Sequence, residues 1–112
     1  MAQVLEPEEF RWRRDVSPTE RRGVVTVRPA RTIATERDVA DLRRAVRSGL
    51  ENGAAQVVVD LAGTPSLSVE AIAALLVLKA EAERYGSRVR IDRPNRAIVR
   101  KLRTTGALAH LS

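Results

Sequence analysis

Apolar residues fall in short clusters with two periods. Phe10-Arg11-Trp12-Arg13 alternates, and with Asp15-Val16 after it predicts a half-exposed strand. Gly23 to Arg28 is β-branched (Val24, Val25, Thr26, Val27) and predicts a second strand. Ser17-Pro18-Thr19-Glu20 reads as the turn between them, short enough for an antiparallel pair. Pro29 closes the second strand, and Arg31 to Ala34 connect it to a helix opened by Thr35, with Asp38 completing an approximate capping box. Val39, Leu42, Val46 and Leu50 then recur at helical spacing as one apolar stripe, while Arg37, Asp41, Arg43, Arg44 and Arg47 fall mostly off it. Asn52-Gly53 supplies a left-handed stop.

The organising stretch is Gln56 to Tyr85. Val57-Val58-Val59-Asp60-Leu61 lacks polar alternation, which predicts a central parallel strand covered on both faces. Gly63-Thr64-Pro65-Ser66 breaks the run, and Ser68 is a suitable N-cap. From Ala71 to Leu78 the next helix is apolar almost all round and is expected to be heavily buried. It turns polar at Lys79, Glu81, Glu83 and Arg84 and ends at Gly86. Arg88-Val89-Arg90-Ile91 alternates as a further strand. Pro94-Asn95 starts a last helix with Ala97, Ile98 and Leu102 inward and Arg96, Arg100 and Arg103 outward, stopped by Gly106. Leu108 and Leu111 pack back as a short terminal turn.

The order is β-β-α-β-α-β-α. It predicts a single-domain α/β fold: a small mixed sheet of about four strands with helices packed against it, joined by right-handed parallel crossovers. Residues 1–9, acidic and polar with Pro7, read as a flexible N-terminal arm, and 10–112 as the domain. Phe10 and Trp12 on an edge strand leave a homodimer open.

Composition narrows the function. A chain of 112 residues holds one core, which must be aliphatic because Phe10, Trp12 and Tyr85 are its only aromatics. No apolar run approaches the roughly 20 residues of a membrane span, and the first residues lack a signal-peptide pattern. The absence of cysteine excludes thiol chemistry and fits a reducing, cytoplasmic compartment. The net charge of +6 comes from 18 arginines and 2 lysines. They are spread along the chain without an aromatic platform for bases, so they read as solvated cations. No specific nucleic acid is expected, although a basic nucleic-acid-binding domain using Arg43, Arg44, Arg47, Arg96, Arg100 and Arg103 stays an alternative.

The residues for catalysis are few. The chain has no phosphate-cradling glycine loop. His110, the only histidine, falls near the end of the sequence, so a serine nucleophile has no evident base and a metal site no ligand set. Neither an enzyme nor a cofactor is expected. Asp60, at a strand end, is read as ordering the following loop by accepting backbone N–H bonds. That loop and the next helix start present Thr64, Ser66, Ser68, Val69, Glu70 and Ala71 where α/β domains hold ligands or partners. The simplest roles are capping for Ser68 and a favourable place near the helix dipole for Glu70.

Val57-Val58-Val59-Asp60-Leu61-Ala62-Gly63 resembles the apolar strand ending in Asp-Leu-Ser-Gly of the STAS family, named for sulfate transporters and anti-sigma factor antagonists. Ile98 and Leu102 to Leu108 resemble that family's closing helix, with its Leu…Thr-Gly-Leu pattern. The resemblance implies a cytoplasmic bacterial module that regulates transcription by partner switching. Its partner would be an anti-sigma factor of the serine-kinase type or a related STAS protein. The family's signature, Asp-Ser-Ser-Gly with the second serine phosphorylated, falls on Ser68-Val69-Glu70-Ala71 and is departed from at all four places. Glu70 thus stands at the phosphoacceptor-equivalent position and cannot be switched there. The domain is then an adaptor, which is favoured, or a phospho-mimic; a phosphosite relocated to Ser68 or Ser66 is the third reading. An accessory STAS subunit of a transport or lipid-trafficking system is the alternative the resemblance also implies.

Overall fold

Short-range chemistry sets the helix ends in this computed structural model, which describes residues 13–16 and 23–111. The Thr35 hydroxyl accepts from the Asp38 N–H at 3.0 Å, and the Asp38 carboxylate accepts in return from the Thr35 N–H at 3.0 Å. This reciprocal pair satisfies donors that the first turn leaves open, and it starts helix α1, Glu36–Glu51. Ser68 accepts from the Ala71 N–H at 3.0 Å to start α2, Val69–Arg84. Asn95 accepts from the Ile98 N–H at 2.8 Å to start α3, Arg96–Thr105. Gly106 ends α3 in the left-handed region at φ 78°, which a residue without Cβ adopts cheaply. A fourth helix, α4, follows at Leu108–Leu111.

The strands are β1 (Arg13–Val16), β2 (Val24–Arg28), β3 (Gln56–Asp60) and β4 (Arg88–Asp92), in the spatial order β1-β2-β3-β4. The pairs β2–β3 and β3–β4 are parallel, and β1 lies antiparallel to β2 with Arg13 opposite Arg28. Spatial order follows chain order, so right-handed crossovers put α1 and α2 on the same face of the sheet. Burial agrees. Val25, Val27, Val57, Val59, Val89 and Ile91 join Leu42, Val46, Leu50, Leu75 and Leu78 in one core, while Val24, Thr26, Gln56, Arg88, Arg90 and Asp92 alternate with them and stay partly or fully exposed. Val58 is also buried, but outside that core, between its cross-strand neighbours Thr26 and Arg90.

Several sequence expectations need correction. The expected terminal turn is the helix α4, which makes four helices rather than three. Asp41, placed off the apolar stripe of α1, is only 2% exposed. Arg44 bonds one of its oxygens at 3.1 Å and Arg31 faces the other at 3.5 Å, and these two cations make its burial tolerable. Ala97, expected inward, is exposed. Helix α2 is not buried all round: Val69 and Val77 are 56% and 52% exposed, and Ala73 is exposed with them. The expected arm at 1–9, the turn at 17–20, and Phe10 and Trp12 with their homodimer lie outside the described residues.

Candidate functional site

The loop between β3 and α2 is held from both sides. On one side Ile33 forms a parallel bridge with Leu67: its N–H donates to the Ser66 carbonyl at 3.1 Å, and its own carbonyl accepts from the Ser68 N–H at 2.9 Å. On the other side α3 reaches back. The Asn95 amide, whose oxygen caps α3, donates to the Pro65 carbonyl at 2.9 Å and more weakly to that of Thr64 at 3.4 Å. The Lys101 ammonium donates to the Leu67 carbonyl at 2.7 Å. A loop that bonds its neighbours through four consecutive carbonyls, residues 64–67, has little freedom left. Gly63 fits a further constraint: a Cβ there would stand 3.1 Å from the Ala30 Cα.

Of the residues expected at this site, Ser66, Val69 and Glu70 are on the surface. Thr64 and Ala71 are buried, and the Thr64 hydroxyl has no hydrogen-bond partner among the described residues. Ser68 is half-buried and occupied in capping, while the Ser66 hydroxyl approaches that of Thr32 at 3.5 Å. Glu70 sits in the first turn of α2, and its side chain makes no hydrogen bond or ion pair among the described residues.

Beneath the loop, three strand ends converge on Asp60, which is 3% exposed. Its carboxylate accepts from the Ala62 N–H at 3.0 Å, from the Arg28 Nε at 2.8 Å, and from the Arg93 Nη2 and Nε at 2.6 and 3.2 Å. Burial pushes its pKa up, but the bonds from Arg93, Arg28 and Ala62 outweigh this and hold it at about 2. Arg93 adopts φ 52° immediately before Pro94, a conformation costly for a side-chain-bearing residue. Its two bonds to Asp60 help hold it there. The arginines were not legible as parts of this site, because Arg28 and Arg93 lie 32 and 33 residues from Asp60.

The helices flanking the site are locked in parallel register. Arg47 of α1 grips Glu81 of α2 with two bonds, Nε to Oε1 at 3.0 Å and Nη2 to Oε2 at 2.8 Å. Arg44 is likewise occupied, by Asp41. The α3 arginines differ: Arg96, Arg100 and Arg103 are exposed and have no ion pair among the described residues. His110 lines a separate groove with Lys79, Glu83, Arg88 and Arg90 and is not brought to Ser66 or Ser68. Among the described residues no cluster of three metal-ligating side chains occurs, and no helix is long and apolar enough to cross a membrane.

A family model described as Mlab, STAS domain, matches residues 18–109. The chain belongs to this STAS family. Its fold is similar to that of two solved structures, each 11% identical and each covered over 90% of this chain. One is the anti-sigma factor antagonist SpoIIAA in its unphosphorylated form, with a TM-score of 0.74 over 85% of that chain. The other is the Bacillus cell fate determinant SpoIIAA in the phosphorylated form, with a TM-score of 0.67 over 88% of that chain. No curated protein matches the sequence. The site described above is therefore the β3–α2 corner of a STAS domain, with a carboxylate exposed in the first turn of α2.

Proposed function

We propose that this STAS domain is a non-enzymatic regulatory module that docks a protein partner through the β3–α2 loop and the start of α2. It is not switchable at the family's usual serine position. The observation that carries this reading is the clamped loop: Ile33, Asn95 and Lys101 hold residues 64–67, so the surface of Ser66, Val69 and Glu70 is presented in one fixed form. A preorganised surface costs a partner little ordering entropy. Glu70 at the phosphoacceptor-equivalent position gives a constant charge of about −1, where a phosphate brings about −1.5 to −2 and three acceptor oxygens. An adaptor role in partner-switching control of transcription in the bacterial cytoplasm follows, with Glu70 as phospho-mimic the nearest variant. The partner is an anti-sigma factor of the serine-kinase type or a related STAS protein. Ser68 is a poor relocated phosphosite because its oxygen already caps α2.

The test is incubation of the wild type and Glu70→Ser with candidate kinase-type anti-sigma factors, followed by phosphate mapping and calorimetric binding. We expect no phosphate on the wild type, and phosphate on residue 70 or tighter binding in the variant. Stoichiometric phosphate on Ser68 or Ser66 of the wild type overturns the non-switching reading. The second reading is the accessory subunit of a transport or lipid-trafficking system, favoured by a family model described by Mlab rather than by an anti-sigma antagonist. Specific binding to a transport ATPase or permease selects it.

A further inference from the structure

Beside the loop, the first halves of α1 and α2 enclose a groove of about 790 Å³. Ala34, Val39, Ala73, Ala74 and Val77 form its apolar part, and Thr35, Glu36, Glu70 and Arg43 its polar part. The Arg47–Glu81 pair sets the level of these charges. It joins residues 34 apart, and the same offset places Glu36 of α1 beside Glu70 of α2, and Arg43 beside Val77. Two carboxylates therefore share one end of the groove, and the cation lies seven residues further along α1, roughly 10 Å at about 1.5 Å per residue. The helix N-termini offset part of the carboxylate charge, with roughly half a positive charge each, but leave that end negative. Glu36 and Glu70 make no ion pair or hydrogen bond among the described residues; Arg43 makes neither, although its charge helps hold the Glu81 pKa low.

We propose that this groove seats an amphipathic helix of a protein partner, two to three turns long, with a basic side chain at the end facing Glu36 and Glu70 and an acidic one at the end facing Arg43. The inference rests on the docking reading above and names the partner's chemistry at that face. The shape argues for a helix. Val69, Ala73 and Val77 recur every four residues on α2 and are exposed, and the alanines of the floor let a third backbone come close to the pair. The charges argue for its polarity. A helix with an acidic residue at the Glu36–Glu70 end would bring a third negative group to two unpaired ones. On this account Glu70 is a cation acceptor, which explains a permanent carboxylate there without reference to phosphate.

The test uses three stapled 12-residue peptides with one Leu/Ala seam: one with arginine at one end and glutamate at the other, one with glutamine at both, and one with glutamate at both. The staple is needed because free helices of this length are marginal in water. Binding is followed by amide chemical shifts of the 112-residue chain. We expect the bipolar peptide to shift Ala73, Ala74 and Val77 and to bind about fivefold tighter than the neutral one, the effect of two exposed ion pairs. The doubly acidic peptide should bind weakest. A Glu36→Gln/Glu70→Gln double variant should abolish the bipolar preference while keeping the neutral peptide's affinity. Equal binding of all three peptides overturns the charge assignment and leaves docking intact. Shifts confined to Ser66 and Val69 overturn the groove as the seat but keep the loop as a docking surface. No shift at either place overturns both.

Discussion

Asp60→Asn tests the electrostatic floor of the site. The folded protein holds the Asp60 pKa at about 2 against an ordinary 3.8. At about 1.36 kcal/mol per unit, that depression stabilises the fold by roughly 2.4 kcal/mol at neutral pH. The side chain is 4% exposed, so little of this is screened away. Its partners, Arg28 at 31% and Arg93 at 61% exposed, keep access to water when the carboxylate is lost. The cost should therefore stay near this figure rather than reach the roughly 3–5 kcal/mol of a fully buried broken pair. For a domain of this size that lowers Tm by roughly 10–20 °C. The sign follows from the lowered folded value. The stabilisation is complete above the unfolded pKa of 3.8, falls as acid protonates Asp60, and is lost below about pH 2. Roughly half should remain at pH 3. Burial pushes the pKa of Asp38 up, but its bonds from Thr35 and Ala34 hold it low; the grip of Arg47 holds Glu81 low. Both add to acid unfolding, so the informative quantity is the difference between wild type and variant in urea titrations at pH 7, 5, 3 and 2. A gap under about 0.5 kcal/mol at pH 7, the ordinary range of surface substitutions, would refute the reasoning. So would a gap that does not narrow between pH 5 and 2.

Other expectations follow from the clamp and the charged faces. Asn95→Ala with Lys101→Met should speed amide exchange at Ser68 and Thr64 by tenfold or more, about 1.4 kcal/mol of lost local stability, and leave the β3 amides unchanged. Equal protection in both proteins would show that Ile33 alone holds the loop. Gly63→Ala should lower stability by about 1–2 kcal/mol through the Ala30 contact, read from thermal melts. Wild type should not bind random duplex DNA at about 0.15 M salt. A salt slope steeper than about −2.7, the limit for Arg96, Arg100 and Arg103 together, would restore nucleic acid as a partner.

What could be read in the sequence was local. The capping box of Thr35 and Asp38 spans three residues, and the α1 stripe of Val39, Leu42, Val46 and Leu50 repeats within one helix, so both are visible as pattern. Asp60 accepting from Ala62 is a two-residue contact of the same kind. The rest depends on chain ends meeting in space. Asn95 was recognisable as a helix start but not as a donor to Pro65, because its oxygen acts locally and its nitrogen acts 30 residues away. Asp41 read as a surface carboxylate because its cations come from two directions, Arg31 before the helix and Arg44 one turn on. The evenly apolar α2 carried no phase from which to tell its buried face from Val69 and Val77.

The dependence of the loop on α3 also orders events during synthesis. Residues 56–84 complete the strand and helix that frame the loop, but Asn95 and Lys101 emerge from the ribosome later. A nascent chain stopped before residue 95 lacks one side of the clamp, so its β3–α2 loop is not yet set. The loop is therefore set only once α3 has folded back onto it, after the strand and helix that frame it have been made. Chains truncated after residue 94 should exchange their loop amides faster than the 112-residue chain.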